Sequence, residues 1–360
     1  VTVVAVPAPL SLNDCKLFLA FVLDYTHVQY NKTIQFYFIY ARTLRLGILF
    51  WTTSMHKRLI LLLFLFPALM YGQKNNKELT PENLAILQAY EDTLQFIGDS
   101  VVLSSDWSMR EQACIVFLKE LKYALKVENS YQFPFDSVVT MSVKYAPDNT
   151  FRILTWQLQM KDHSHRYYGA IQYNTPELKL TPLIDMSMFV GNPEDTLLSA
   201  NSWYGCLYYN IIQKKYRGKT YYYLFGWDGN DMWSNKKLVD VLTFDEFGTP
   251  KFGHPQFLKR DDPNPKTRII IEYKEDASPV FNYDEQLKMI VISFLRPENP
   301  MSEGIYFTYI PDGTYIGFYF KKGLWRFKDQ VFDQTQDAPP DYTPEREGTD
   351  PNIYIKPDNQ

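Results

Sequence analysis

A mainly β fold, an antiparallel meander behind an N-terminal pair of helices, is predicted by three observations. From residue 137 to 328 apolar residues recur with period two, as half-buried strands require. Tight-turn dipeptides interrupt that stretch at short intervals. Tyr and Phe number 27 and 25, and both suit a pleated, half-buried surface.

The elements follow in chain order. Met55-His56-Lys57-Arg58, an unbroken apolar run over 59–70 and Tyr71-Gly72-Gln73 together read as a secretory signal peptide over 55–72. The run is shorter than the ~20 residues a bilayer span needs, although a signal anchor or a buried core helix competes. Cleavage is expected after Gly72, and no cysteine follows to carry a lipid. Residues 1–54 then lie upstream of the true start and read as mistranslation outside the mature protein. The alternative, a transmembrane segment over 33–51, would bury Arg42 and Arg45 at about 2.5–3.5 kcal/mol each. The expectation is a periplasmic or secreted Gram-negative protein with no stable membrane span in its mature chain.

Residues 73–136 form the helical segment. Thr80-Pro81-Glu82 offers an N-cap, a proline at the first helical position and an acid in the first turn. Leu84, Leu87, Leu94, Ile97 and Val101 then recur near a helical period. Ser108 and Glu111 have capping-box spacing, and Cys114, Phe117, Leu118, Leu121 and Leu125 make one apolar face behind them.

Residues 137–328 form the antiparallel β domain. Strands are predicted over 138–145, 151–160, 166–173, 204–212, 220–227, 238–244, 268–273, 289–295, 305–310 and 315–320. Turn chemistry at Pro147-Asp148-Asn149, Arg217-Gly218, Asp228-Gly229, Phe247-Gly248, Asp312-Gly313 and Lys322-Gly323 separates them. Such short connections make neighbours antiparallel, because a parallel crossover takes a dozen residues or more. The strands group into three blocks, beginning near Val138, Tyr204 and Arg268. That grouping fits propeller-like blades, a sandwich or an irregular barrel. Residues 329–360, with eight acidic and two basic side chains and several prolines, read as a disordered acidic tail.

Composition excludes one class of partner. The chain holds 37 basic and 41 acidic residues, so no positive field is available for phosphate neutralisation and nucleic acid is not expected as a partner. Cys114 and Cys206 read as two separately buried thiols, with a single disulfide as the alternative.

Candidate chemistry concentrates at Trp227-Asp228-Gly229-Asn230-Asp231-Met232-Trp233. Asp228, Asn230 and Asp231 supply oxygens of the kind Ca²⁺ takes, but their spacing is not that of an EF-hand. A hairpin whose polar side chains satisfy their own backbone is the favoured reading. Trp227 and Trp233 flank that turn, so Trp227, Asp228, Asn230, Asp231 and Trp233 are the predicted binding residues, unless both indoles are core. Asp162-His163-Ser164-His165 places two imidazoles near each other, yet zinc wants a third protein ligand and only His254 remains after residue 72. No Gly-x-Ser-x-Gly elbow, cysteine-protease signature or phosphate loop is present. Paired carboxylates among Asp228, Asp231, Asp240, Asp245 and Glu246 remain the one enzymatic route. No cofactor is implied.

Two stretches, Gly218 to Gly253 and Pro311 to Phe327, are similar to uncharacterised exported β-rich proteins of Bacteroidota. The resemblance implies export and a β-rich domain, and carries no activity, ligand or catalytic residue. The expected function is non-catalytic binding of an envelope protein or glycan; a carboxylate-dependent hydrolase acting on glycans or peptides is the alternative.

Overall fold

Two helices and three β-sheets make up residues 78–332, the part of the chain described by the computed structural model. The predicted signal peptide, the segment upstream of it and residues 333–360 lie outside the described residues.

Helix α1 (Pro81–Leu103) starts where the sequence places it, with the Thr80 hydroxyl accepting from the Asn83 amide at 3.1 Å. Helix α2 (Trp107–Lys126) starts one residue before the expected capping box. Asp106 is the cap, and its carboxylate accepts from the amides of Ser108 (2.7 Å) and Met109 (3.2 Å). Leu84, expected on the packed face of α1, is exposed.

The first sheet is a four-strand meander of β1 (Met141–Tyr145), β2 (Phe151–Gln159), β3 (His165–Tyr173) and β4 (Leu180–Ile184). In the second, β5 (Leu198–Ser199), β6 (Leu207–Tyr216), β7 (Lys219–Asp228), β8 (Ser234–Phe244) and β9 (Pro250–Phe252) run in the order β5-β9-β8-β7-β6. The far edge of β8 is shared. Its C-terminal end pairs with β9, and its N-terminal part pairs with β11 (Arg268–Lys274). The third sheet adds β10 (Phe257–Leu258), β12 (Phe281–Asp284), β13 (Met289–Pro297), β14 (Tyr309–Lys321) and β15 (Leu324–Lys328), ordered β10-β15-β14-β13-β12. Among the named strands of the described residues only the two-residue β10–β15 pairing is parallel, with an isolated parallel bridge between Asp185 and Trp203 besides.

Three local expectations change. Residues Tyr306–Thr308 form a 3-10 turn, and the strand begins at Tyr309. Asp312-Gly313 sits in a bulge inside β14, where the register with β13 slips between Ser293 and Leu295, so it joins no hairpin. Arg268 opens no new sheet, since β11 completes the second one. The Arg217-Gly218 and Lys322-Gly323 hairpins have both central residues at positive φ, as two-residue loops demand.

The sheets stack face to face, and none closes into a barrel. Alternation along each strand feeds a core on either side. In β2, Leu154, Trp156 and Leu158 pack with Leu87, Leu94, Phe117 and Leu121 of the helices, whereas Phe151 and Ile153 face the second sheet. In β7, Tyr222 and Leu224 face the first sheet, whereas Tyr221, Tyr223 and Phe225 face Ile290, Phe318 and Trp325 of the third. Cys114 and Cys206 form no disulfide and are buried in different cores. The chain stays packed past residue 329: Val331 is buried on the outer face of the third sheet, and its amide donates to the Tyr315 carbonyl at 3.0 Å.

Two buried guanidiniums sit in these layers. Arg152 on β2 donates to the carbonyls of Phe133 (2.5 Å) and Ser130 (3.0 Å), the Gln172 amide oxygen (2.8 Å) and the Tyr145 hydroxyl (2.8 Å). The rings of Tyr131, Phe135 and Tyr145 surround it at 5.3–5.6 Å. Burial pushes its pKa down, and the neighbouring tyrosines oppose that. Arg268 on β11 faces Asp240 across the strands, with Nε 3.3 Å from Oδ2 and neither side chain exposed.

Candidate functional site

The loop of residues 229–233 joins β7 to β8 at one end of the second sheet. Its fold follows from its own polar side chains. Asp228 Oδ1 accepts from the Asn230 amide at 2.8 Å and from the Tyr167 hydroxyl of the first sheet at 2.9 Å. The Gly229 amide donates to the same Tyr167 oxygen at 2.7 Å. Asn230 takes a positive φ of 39°, which asparagine tolerates. Its amide nitrogen donates to the Ser234 hydroxyl (2.8 Å), and its oxygen accepts from Lys236 Nζ (2.6 Å). Asp231 Oδ1 accepts from the amides of Trp233 (2.8 Å) and Ser234 (3.0 Å).

These bonds sort the predicted residues. Asp228, Asn230 and Asp231 are turned onto the loop's own backbone and neighbours, as the hairpin reading holds. Asp228 is only 6% exposed. Trp227 is half-buried, its ring 6.2 Å from that of His165 at the start of β3. A Cβ on Gly229 would lie 2.7 Å from the His165 ring and 2.9 Å from Trp227, so only glycine fits beneath them. Trp233 is 61% and Met232 52% exposed. The indoles therefore separate, one into the wall of the fold and one into solvent.

Burial pushes the Asp228 carboxyl pKa up, against the Asn230 amide, the Lys236 charge and the Tyr167 hydroxyl, which all favour the ionised form. Burial likewise pushes His165 down and Tyr167 well up. A carboxyl whose folded pKa is raised binds its proton before the unfolded chain does. Stability from this group therefore rises as pH falls from neutral towards the ordinary value of 3.8. Asp228→Asn keeps an Oδ1 acceptor without the charge. At pH 7 it should be at least as stable as the parent, with the difference shrinking on acidification. Urea melts at pH 7 and near pH 4.5 check this; a variant markedly weaker at pH 7 would contradict it.

His163 and His165 part company as well. His163 sits at positive φ in the exposed β2–β3 turn, whereas His165 faces Trp227. Among the described residues no group of three or more His, Cys, Asp or Glu side chains gathers as a metal set.

A second feature was missed in the sequence, a cleft of about 440 Å³ between β11 and the third sheet. Ile270, Glu272, Ile292, Tyr306 and Tyr309 line it, with Glu194 and Lys259 beside them. The residues come from five separate stretches, so no local pattern announces them. Glu272 connects cleft and loop, since Oε1 accepts from the Ser234 hydroxyl at 2.8 Å. Of the cleft's carboxylates, Glu194 pairs with Lys259 at 2.5 Å and accepts from the Ile270 amide at 3.1 Å, and Glu272 lies 3.8 Å from Lys236. None of the five acids considered from sequence lines it. Asp240 is in the core, and Asp245 holds the amides of Phe247 and Thr249 in the β8–β9 turn.

Among the described residues no helix is long and apolar enough to cross a membrane. No protein-family model matches this chain and no curated protein matches it, so the reading of the site rests on its geometry.

Proposed function

We propose that this chain is an exported, non-catalytic binding protein of the cell envelope whose partner, a protein or glycan, docks on the β7–β8 loop. The observation that carries the reading is the loop's division of labour. Its polar side chains hold its own backbone, while Met232 and Trp233 stand in solvent on that fixed base. An aromatic ordered before contact loses less entropy on binding, and tryptophan is the side chain most enriched among binding hot spots. Through Glu272 the loop adjoins the cleft, where Tyr306 and Tyr309 extend the aromatic surface. The basic head and apolar run before Gln73 support export.

The hydrolase reading draws on Glu194 and Glu272, which share the cleft. Both are engaged by lysines and hydrogen bonds, an arrangement suited to bracing the wall more than to proton transfer.

Trp233→Ala should leave stability within about 0.5 kcal/mol of the parent, as surface changes do. Capture of the partner from a native envelope fraction should weaken by roughly thirtyfold, a loss of about 2 kcal/mol. Undiminished capture would remove the loop from the interface. Steady turnover of a glycan or peptide by the purified protein, lost in Glu194→Gln or Glu272→Gln, would replace binding with catalysis.

A further inference from the structure

The helix layer covers the first sheet with one face and presents another to solvent. On α1 the buried stripe is Leu87, Leu94 and Val101, and on α2 it is Cys114 and Leu121. Two residues further along each helix, about 200° around the axis, lie Ala89, Phe96 and Leu103 on α1 and Met109, Val116 and Tyr123 on α2. All six are exposed, Phe96 at 76% and Leu103 at 77%. Both stripes step by seven residues, the spacing that keeps a seam facing another helix. Because α1 and α2 run antiparallel across the 104–106 turn, with Asn83 Nδ2 donating to the Glu128 carbonyl at the far end, Leu103 falls within about 3 Å along the axis of the level of Met109, Phe96 of Val116 and Ala89 of Tyr123.

The hairpin is also divided by charge. Helix α1 carries Glu82, Glu91, Asp92 and Asp99 and no basic residue, whereas α2 carries Arg110, Lys119, Lys122 and Lys126 against Glu111 and Glu120. We propose that this face pairs with the same face of a second copy of the chain. The result is an antiparallel four-helix bundle in which α1 of each copy lies on α2 of the other. A two-fold axis parallel to the helices brings acidic α1 over basic α2, Phe96 over Val116 and Leu103 over Met109. It also sets Asp92 of one copy level with Lys119 of the other, on the same flank. A two-fold across the helices would lay α1 on α1, acid against acid, which complementarity rejects. The acidic α1 likewise disfavours a membrane surface, where basic residues flank the apolar face. Two helices of about 30 Å side by side offer on the order of 600 Å², near the ~800 Å² per partner of a standard interface.

Sedimentation of the full-length chain over a concentration series tests the proposal. The expected result is a reversible monomer–dimer equilibrium. Phe96→Asp should raise its Kd by roughly a hundredfold, as loss of a central aromatic anchor does, with near-UV circular dichroism confirming an intact fold. Asp92→Lys and Lys119→Asp should each weaken the dimer by about fivefold, and the two together should restore it. A monomer at every concentration, or a dimer untouched by Phe96→Asp, would overturn the interface. A double charge swap weaker than both single variants would overturn the pairing of α1 with α2.

Discussion

Arg152→Ala should destabilise the protein by about 3–5 kcal/mol, one of the two largest single-residue effects expected here. The truncation removes the donor to four oxygens, two of them carbonyls of the 130–133 segment that leads from the helices to the first sheet. Each buried acceptor left unpaired costs about 1–3 kcal/mol. The guanidinium also fills the space between three aromatic rings, so a cavity adds to the loss. Arg152→Lys should recover little, because an ammonium has neither the planar fork nor the stacking surface. Domains hold about 5–15 kcal/mol in total, so the alanine variant should sit near its unfolding midpoint at modest urea concentrations. A midpoint shift equivalent to less than about 1 kcal/mol would show that the cage does not hold the helices to the sheet.

Asp240→Ala should cost a comparable 3–5 kcal/mol for a different reason. Asp240 is the acid beside the Arg268 guanidinium, 3.3 Å from its Nε in a site with no exposure. Removing both charges together is far cheaper than stranding one. The double variant Asp240→Leu with Arg268→Met should therefore be more stable than Asp240→Ala. It should remain below the parent, because Arg268 also donates to the carbonyls of Pro193 and Thr196. A double-mutant cycle read by urea denaturation measures the coupling. Simple additivity of the two single variants would mean that the pair contributes nothing as a pair.

Both arginines show where sequence reading stops. A charged residue in a strand reads as one that faces solvent, and only the packing of a second layer shows that Arg152 and Arg268 do not. What was legible was local. The Thr80 cap and the Arg217-Gly218 and Lys322-Gly323 hairpins depend on nearest neighbours and stand where expected, whereas the period-two stretches are strands with shifted ends, β1 starting at Met141, β6 at Leu207 and β14 at Tyr309. The strands that escaped are β4, β5, β9, β10, β12 and β15, two to five residues long. Runs so short carry too few alternations to be counted, and tertiary pairing makes them strands. The candidate loop was legible because it is contiguous. The exposure of Trp233 against the half-burial of Trp227 was not, since it depends on Tyr167 and His165 arriving from another sheet.

The alternation along β7 bears on how the molecule comes apart. One strand supplies Tyr222 and Leu224 to one core and Tyr223 and Phe225 to the next, so the two cores share a backbone as well as a boundary. Stacked modules behave as a one-dimensional array whose cooperativity is set by coupling between neighbours. Here that coupling is the hydrophobic interior itself. Releasing the third sheet would leave Tyr223 and Phe225 wet on a strand still pinned from its other side, a half-unfolded species with a large exposed apolar face. Such a species is too costly to populate, so the layers should melt together, and no cut between them should yield halves that persist alone.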